Sequence, residues 1–269
     1  MQYLVLPHAH VQTANFCNTN FLIGGPQLGA AYGLGQSVCF RIGGEARVTG
    51  FMLVHHDIQP LGETVKGIFW PQQRRGASYT YERTQDSDYS NGNKHVLSLQ
   101  PTATAHLDAS LVWEVEGLDD INGAVRLLDA AKFAGGLITS HGRIFVSDSP
   151  FDAVEQISTG WIVADRRDLL ESHEANQLEK MLHALGTADP ENSWLSATCV
   201  GYAPVTPFAA RTGSREGYES AFAEPLVGMV QYVPLRKFIK NEAENAKVLW
   251  SPNWTGDLGD VFLLRGRSI

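Results

Sequence analysis

Cysteine is scarce in this 269-residue chain: Cys17, Cys39 and Cys199 are all it has, an odd number with no short spacing between any two. That argues against a disulfide framework and a CxxC metal site, and it fits a reducing compartment. No apolar run approaches the roughly 18 residues that suggest a membrane-spanning helix, so no membrane partner is expected. The opening MQYLVLPHAH lacks the charged and long apolar stretches of a secretory signal, and the expected location is the cytoplasm. HExxH, HxxEH, a Gly-Xaa-Ser-Xaa-Gly elbow and a Walker loop are also missing, which argues against zincin, α/β-hydrolase and P-loop chemistry.

Charge is sparse too. Charged residues make up 19 % of the chain and sum to −8, which at first sight disfavours nucleic acid. Position alters that conclusion. Residues 101–200 hold 16 acidic and 6 basic side chains, whereas residues 1–100 and 201–269 each sum to +1. The two ends can still take an anionic ligand, and the acidic middle is left to face a protein or water.

What is present is a globular composition with 43 % hydrophobic residues and 26 glycines. A chain of this size buries roughly three quarters of its unfolded surface and needs no metal or disulfide to fold. Residues 2–6 read as a strand closed by Pro7, followed by an Asn- and Thr-rich turn at 12–20. Gly25-Pro26 predicts the start of a helix over about 26–39. Residues 50–58 read as a second strand, and the polar stretch of about 59–100 as an insertion. Leu107, Ala109, Leu111, Trp113 and Val115 alternate with more polar neighbours, which predicts a strand with one buried and one largely wet face. A helix over 119–134 ended by Gly135-Gly136 follows, then strand material at 137–146 bent at His141-Gly142.

That order is strand, helix, strand, strand, helix, strand, the ferredoxin-like arrangement shared by RNA-recognition modules. The expected class is therefore α+β, with a ferredoxin-like βαββαβ core and a long insertion in residues 1–150. Residues 151–269 are expected to form a second, less regular α/β half packed on it. In that half, 160–164, 197–204, 226–233 and 260–265 read as strands and 166–185 as a helix carrying Leu178, Met181, Leu182 and Leu185.

Several motifs have both a functional and a plain structural reading. Gly24-Gly25, Gly29, Gly33 and Gly35 suit either a helix packed tightly on a sheet or a backbone cradle for phosphate. Gln72-Gln73-Arg74-Arg75, with Lys66, Tyr79, Tyr81, Arg83 and Lys94 nearby, suits a single-stranded nucleic acid or a solvated loop. His8 and His10 lie on one strand and share a face, whereas adjacent His55 and His56 point to opposite faces. His8, His10 and His55 are the set for a metal-dependent small-molecule enzyme, and ordinary strand-end histidines are the plain reading. No metal or other cofactor is expected.

The order of short blocks along the chain resembles one known family. The blocks are Tyr3-Leu-Val-Leu-Pro-His8, Val11-Gln-Thr-Ala-Asn15, the Gly25-Pro26 helix start, Gly50-Phe-Met-Leu-Val-His-His-Asp57 and Ala105-His-Leu-Asp-Ala-Ser-Leu111. They continue with Ala134-Gly-Gly136, Gly160-Trp-Ile-Val-Ala-Asp-Arg-Arg-Asp-Leu-Leu170, Gly201-Tyr-Ala-Pro204, Glu224-Pro-Leu-Val227 and Trp250-Ser-Pro252. In this order they are similar to the Csy-two branch of the Cas-five family, subunits of type I-F CRISPR surveillance complexes in the RAMP superfamily.

The resemblance implies a non-catalytic subunit that binds the 5′ handle of the crRNA. It also implies contacts with the large subunit and the backbone subunit of the complex, near target DNA. Gln12, Asn15, Asn18 and Gly25 are then expected at the RNA, with Arg74, Arg75 and Arg83 on its phosphates and Arg211 and Arg215 as a second contact. An endoribonuclease of the same superfamily, with His8, His10 or His106 as acid or base, is the main alternative.

Overall fold

The computed structural model describes residues 1–71, 103–171, 176–190, 192–214, 217–240, 246–257 and 259–269. In chain order the first part holds β1 (Gln2–Asn15), α1 (Leu28–Ile42), β2 (Arg47–Pro60), β3 (Gly62–Val65) and β4 (Ile68–Pro71). It continues with β5 (Thr104–Glu116), α2 (Ile121–Asp129), β6 (Lys132–Phe133), β7 (Gly136–Ser140) and β8 (Phe145–Ser147). The second part holds α3 (Pro150–Ile157), β9 (Trp161–Asp165), a 3-10 turn at Arg167–Leu170, α4 (Gln177–Gly186) and β10 (Leu195–Pro204). It ends with β11 (Ala223–Pro234), α5 (Leu235–Ile239), β12 (Leu249–Thr255) and β13 (Val261–Arg267).

The class is α+β. One sheet runs through both parts in the order β12-β13-β10-β11-β9-β2-β5-β1-β7-β6, with β8 beside β1, and β3–β4 form a separate hairpin. Within it, β7, β1, β5 and β2 are neighbours in that order, each antiparallel to the next. Strands β1 and β2 thus run the same way with β5 between them. The expected insertion is described only as far as the end of β2 and the β3–β4 hairpin. Residues 72–102 lie outside the described residues.

Two apolar layers fix this arrangement. On one face, Leu28, Ala31, Val38 and Cys39 of α1 and Ala124 and Leu128 of α2 meet Leu4, Leu6, Phe51, Leu53, Leu111 and Trp113. On the other, Ala153, Val154 and Ile157 of α3 and Leu235 and Phe238 of α5 cover Tyr3, Val5, Met52, Val54 and Val112. The predicted wet face of residues 106–116 is corrected by this second layer: from Ala109 to Val115 both faces of β5 are buried. Neither α3 nor β12 follows from hydrophobic spacing, because α3 is short and β12 is interrupted by Ser251, Pro252 and Asn253.

Other boundaries differ for local reasons. β1 does not stop at Pro7; it runs on to Asn15, with register shifts between Leu6 and Ala9 and between Val11 and Ala14. Pro7 sits in the first shift, where a ladder N–H is dispensable. α1 starts at Leu28 because Gly25 is left-handed, and Gln27 is its N-cap. α2 ends at Asp129, since 132–137 turn back as a hairpin through Ala134 and Gly135, both at positive φ. The helix expected over 166–185 is a 3-10 turn and the shorter α4. The Leu178 and Leu182 side chains of α4 are largely exposed rather than part of the core.

Glu114 is the charged group this second layer encloses, at 4 % exposure. Tyr3 Oη donates to it at 3.1 Å, Thr49 Oγ1 at 2.7 Å and the Arg267 guanidinium at 2.7 Å. Burial pushes its pKa up, but the hydrogen bonds and the Arg267 charge outweigh that and hold it below the ordinary carboxylate value of 4.5. A carboxylate depressed in the folded state stabilises the fold above about pH 4.5 and loses that contribution as pH falls through the folded value. Acid unfolding followed by circular dichroism is expected to shift with this group. Glu114→Gln is expected to be less stable at pH 7 and to show a smaller loss of stability between pH 5 and 3.

Candidate nucleic-acid interface

The chain leaves β1 at Asn15 and enters α1 at Leu28. The loop between is held by its own polar side chains. Asn15 Nδ2 donates to the Cys17 carbonyl at 3.0 Å, and its Oδ1 accepts from Cys17 N–H at 3.1 Å. Asn18 Nδ2 donates to the Gly24 carbonyl. Gly24 N–H in turn reaches the Phe16 carbonyl at 2.8 Å. At Gly25, φ is +75° and a Cβ would run into the Ala197 carbonyl of β10. Gly25 therefore serves close packing of loop on sheet, the plain reading of the glycine motif.

This packing brings the loop, the start of α1 and β10 around one pocket of about 200 Å³. Asn15, Asn18, Gln27, Gly29, Tyr202 and Phe262 line it with a few apolar neighbours. Gln27 caps α1 without a side-chain bond to the helix, so the first-turn N–H groups still favour an acceptor or a negative charge. Its Nε2 donates to the Gly25 carbonyl at 3.1 Å, while its buried Oε1 has no hydrogen-bond partner among the described residues. At Gly29 a Cβ would meet no atom within 4 Å, so that wall is open. Tyr202 is 46 % exposed. Burial, followed by neighbouring Cys199, raises its phenol pKa and keeps it a neutral donor.

Chemically, the pocket offers amide donors and acceptors, helix N–H groups and a flat aromatic ring. Its lining includes no carboxylate, imidazole or ammonium. Such a lining suits hydrogen bonding and stacking.

The expected site residues do not all gather here. Asn15 and Asn18 line the pocket, and Gly25 shapes it. Gln12 instead pairs with Leu137 across β1 and β7 and lines a separate shallow pocket of about 230 Å³ with His10, Asp57, His106 and Asp108. Arg211 donates to the Ser220 and Pro207 carbonyls and to Thr206 Oγ1, and it lies 5.2 Å from the centre of the Phe222 ring. Its guanidinium thus ties the 206–222 loop together. Arg74, Arg75, Arg83 and Arg215 lie outside the described residues. Sequence reading missed Gln27, Tyr202 and Phe262. Tyr202 carried one signal, an aromatic in the Gly-Tyr-Ala-Pro block at a strand end.

The His8, His10 and His55 set is not assembled. His55 turns into the core, 3.3 Å from Tyr232 Oη, and burial with a smaller effect of His56 pushes its pKa down to about 3. His56 takes its place, its ring stacked on His8 at 4.0 Å. His106 accepts from Thr13 N–H at 3.4 Å.

No helix among the described residues is long and apolar enough to cross a membrane. No curated protein matches the chain. A family model described as CRISPR-associated protein (Cas_Csy2) matches residues 4–188, more than half of the chain, and takes in β1, α1, the pocket-forming loop and α2. The chain therefore belongs to the Cas_Csy2 family, the Csy2 subunit family of type I-F CRISPR Cascade complexes.

Proposed function

We propose that this chain is a non-catalytic Cascade subunit that binds the 5′ handle of the crRNA and contacts the large and backbone subunits beside target DNA. The observation that carries this reading is the pocket at the end of β1, where Asn15, Asn18, Gln27, the α1 N-terminus and Tyr202 present hydrogen-bonding and stacking groups together. In the same reading residues 1–150 form a ferredoxin-like unit, supported by the order β7-β1-β5-β2 and by α1 and α2 on one face. Residues 151–269 form the half that extends its sheet through β9. Gln12 and the cations Arg74, Arg75, Arg83, Arg211 and Arg215 complete the RNA contact along the backbone, and the acidic middle faces a protein subunit.

The test is co-expression with the operon neighbours and a repeat-containing array, followed by purification and sequencing of the bound RNA. A discrete RNA with a repeat-derived 5′ end is the expected result. Gly29→Glu places a carboxylate in the open wall of the pocket, on an exposed helix face where the fold has room for it. It is expected to reduce co-purified RNA at least about tenfold while leaving the melting temperature of the chain nearly unchanged. Charge reversal at Arg74, Arg75 and Arg83 is expected to weaken binding and to reduce its salt dependence. RNA recovery unchanged by both would overturn the reading.

A further inference from the structure

On the face of the sheet that carries Val54 and Val112, beside the shallow pocket lined by His10, Gln12 and Asp108, lies a cluster of titratable side chains. Strand β5 is flanked by two register shifts at nearly the same level. One is in β1 between Leu6 and Ala9, and the other is in β2 between His55 and Asp57. His8 and His56 are residues of these two bulges, and His8 has φ +47°. Bulges re-aim side chains. Here the β1 bulge carries His8 onto the face of Val112, where alternation from Met52 and Val54 already puts His56, and the two meet at Ser110. Ser110 Oγ lies 2.7 Å from His56 Nε2 and accepts from His8 N–H at 2.9 Å. It holds both histidines.

Asp108 completes the group from β5. One ligand atom from each of His8, His56 and Asp108 lies within 4.8 Å of the others. Asp108 Oδ1 is buried and has no hydrogen-bond partner among the described residues, and His8 Nδ1 stands 3.7 Å from it. His10 Nδ1 stands 3.5 Å from the other carboxylate oxygen, on an exposed side chain. Two imidazoles and a carboxylate with an unsatisfied oxygen, from three adjacent strands, form the donor set of a borderline divalent ion. Nitrogen donors favour first-row transition ions over Mg²⁺ or Ca²⁺.

We propose that His8, His56 and Asp108 bind one divalent first-row transition ion, with Zn²⁺ as its representative. Water or the neighbouring His10 fills the remaining position, as in three-ligand zinc sites. Ser110 acts as a positioning residue behind the ligands.

The experiment is calorimetric titration of ZnCl₂ into the 269-residue chain stripped with EDTA, at pH 7.5. One Zn²⁺ per chain is expected. His56→Gln and Asp108→Asn are each expected to weaken binding at least about tenfold, a loss of the size seen when ligand or supporting groups of metal sites are removed. His183→Ala, on exposed α4, is expected to bind as the parent does. Should a ligand variant fail to fold by circular dichroism, the Co²⁺ form of the parent supplies the answer. Visible d–d absorption of a low-symmetry nitrogen–oxygen site, abolished by Zn²⁺, is expected. The proposal is overturned by absence of stoichiometric Zn²⁺ binding, by a parent-like affinity in both ligand variants, or by Mg²⁺ competing at equal concentration.

Discussion

Gly35→Ala is expected to destabilise the chain by about 3 kcal/mol, although alanine is the better helix former. Replacing Gly by Ala inside a helix ordinarily gains about 1 kcal/mol. At Gly29 and Gly33 of the same helix a Cβ would meet nothing within 4 Å, and there the gain is expected. At Gly35 the added Cβ would run into the Trp113 indole, against Cδ1, Nε1 and Cγ. Trp113 is fully buried in the centre of β5, and its Nε1 donates to the Ala31 carbonyl of α1 at 2.8 Å. The ring cannot swing away without breaking that bond, so the helix must lift. Overpacking of a well-filled core typically costs about 1–3 kcal/mol, and the strained bond adds to it. For a chain of this size, thermal unfolding is expected to fall by roughly 6–12 °C in Gly35→Ala and to rise slightly in Gly33→Ala. Equal melting temperatures for the two would refute the close approach of α1 to Trp113. The consequence reaches the pocket, because α1 carries Gln27 and Gly29 to it and is seated on Trp113.

That glycine also shows what could be read from the sequence and what could not. The choice between tight packing and a ligand cradle was legible as a choice. The structure divides it by position, with Gly25 and Gly35 against neighbouring atoms and Gly29 and Gly33 open. The strands β1, β2 and β5 and the helices α1 and α2 were legible, with shifted ends, because apolar runs, the period-two alternation of β5 and helical spacing are local signals. What failed was non-local. The second face of β5 is buried only because α3 and α5 fold over it from distant sequence. His56 rather than His55 meets His8 because the slip in β1 carries His8 onto the face of Val112, where plain alternation already puts Met52, Val54 and His56, and a one-residue slip exchanges the faces of a strand. Leu178 and Leu182 have the spacing of a core helix yet remain largely exposed, since amphipathic spacing says that a face is apolar but not what covers it. Asn15 and Asn18 were legible as polar loop residues. Their pocket was not, because Tyr202 and Phe262 arrive from β10 and β13.

The same dependence on distant strands makes Asp165 the side chain whose loss is expected to damage the second part most. It ends β9, is 5 % exposed, and accepts three hydrogen bonds. Arg167 N–H reaches Oδ1 at 3.0 Å, while the Arg167 guanidinium and Gly266 N–H reach Oδ2 at 2.7 and 2.9 Å. The Asp165 N–H bonds Lys247 O at 2.9 Å. One carboxylate thus ties β9 to β13, and β9 is the strand through which β11 joins β2. Asp165→Ala strands two backbone N–H groups and leaves the Arg167 guanidinium only the Leu264 carbonyl, at 3.4 Å. Removing one member of a buried pair typically costs about 3–5 kcal/mol, and that is the expected loss in urea unfolding. The cost comes chiefly from the abandoned guanidinium rather than from the attraction itself. Arg167→Met in the Asp165→Ala background is therefore expected to recover part of the stability, and a double-mutant cycle measures that coupling. A loss below about 1 kcal/mol in Asp165→Ala would show that β13 is held by its pairing with β12 and β10 alone. Because Phe262 of β13 lines the pocket, the larger loss is expected to carry RNA retention down with it, whereas partial recovery of the fold in the double variant should restore retention in step.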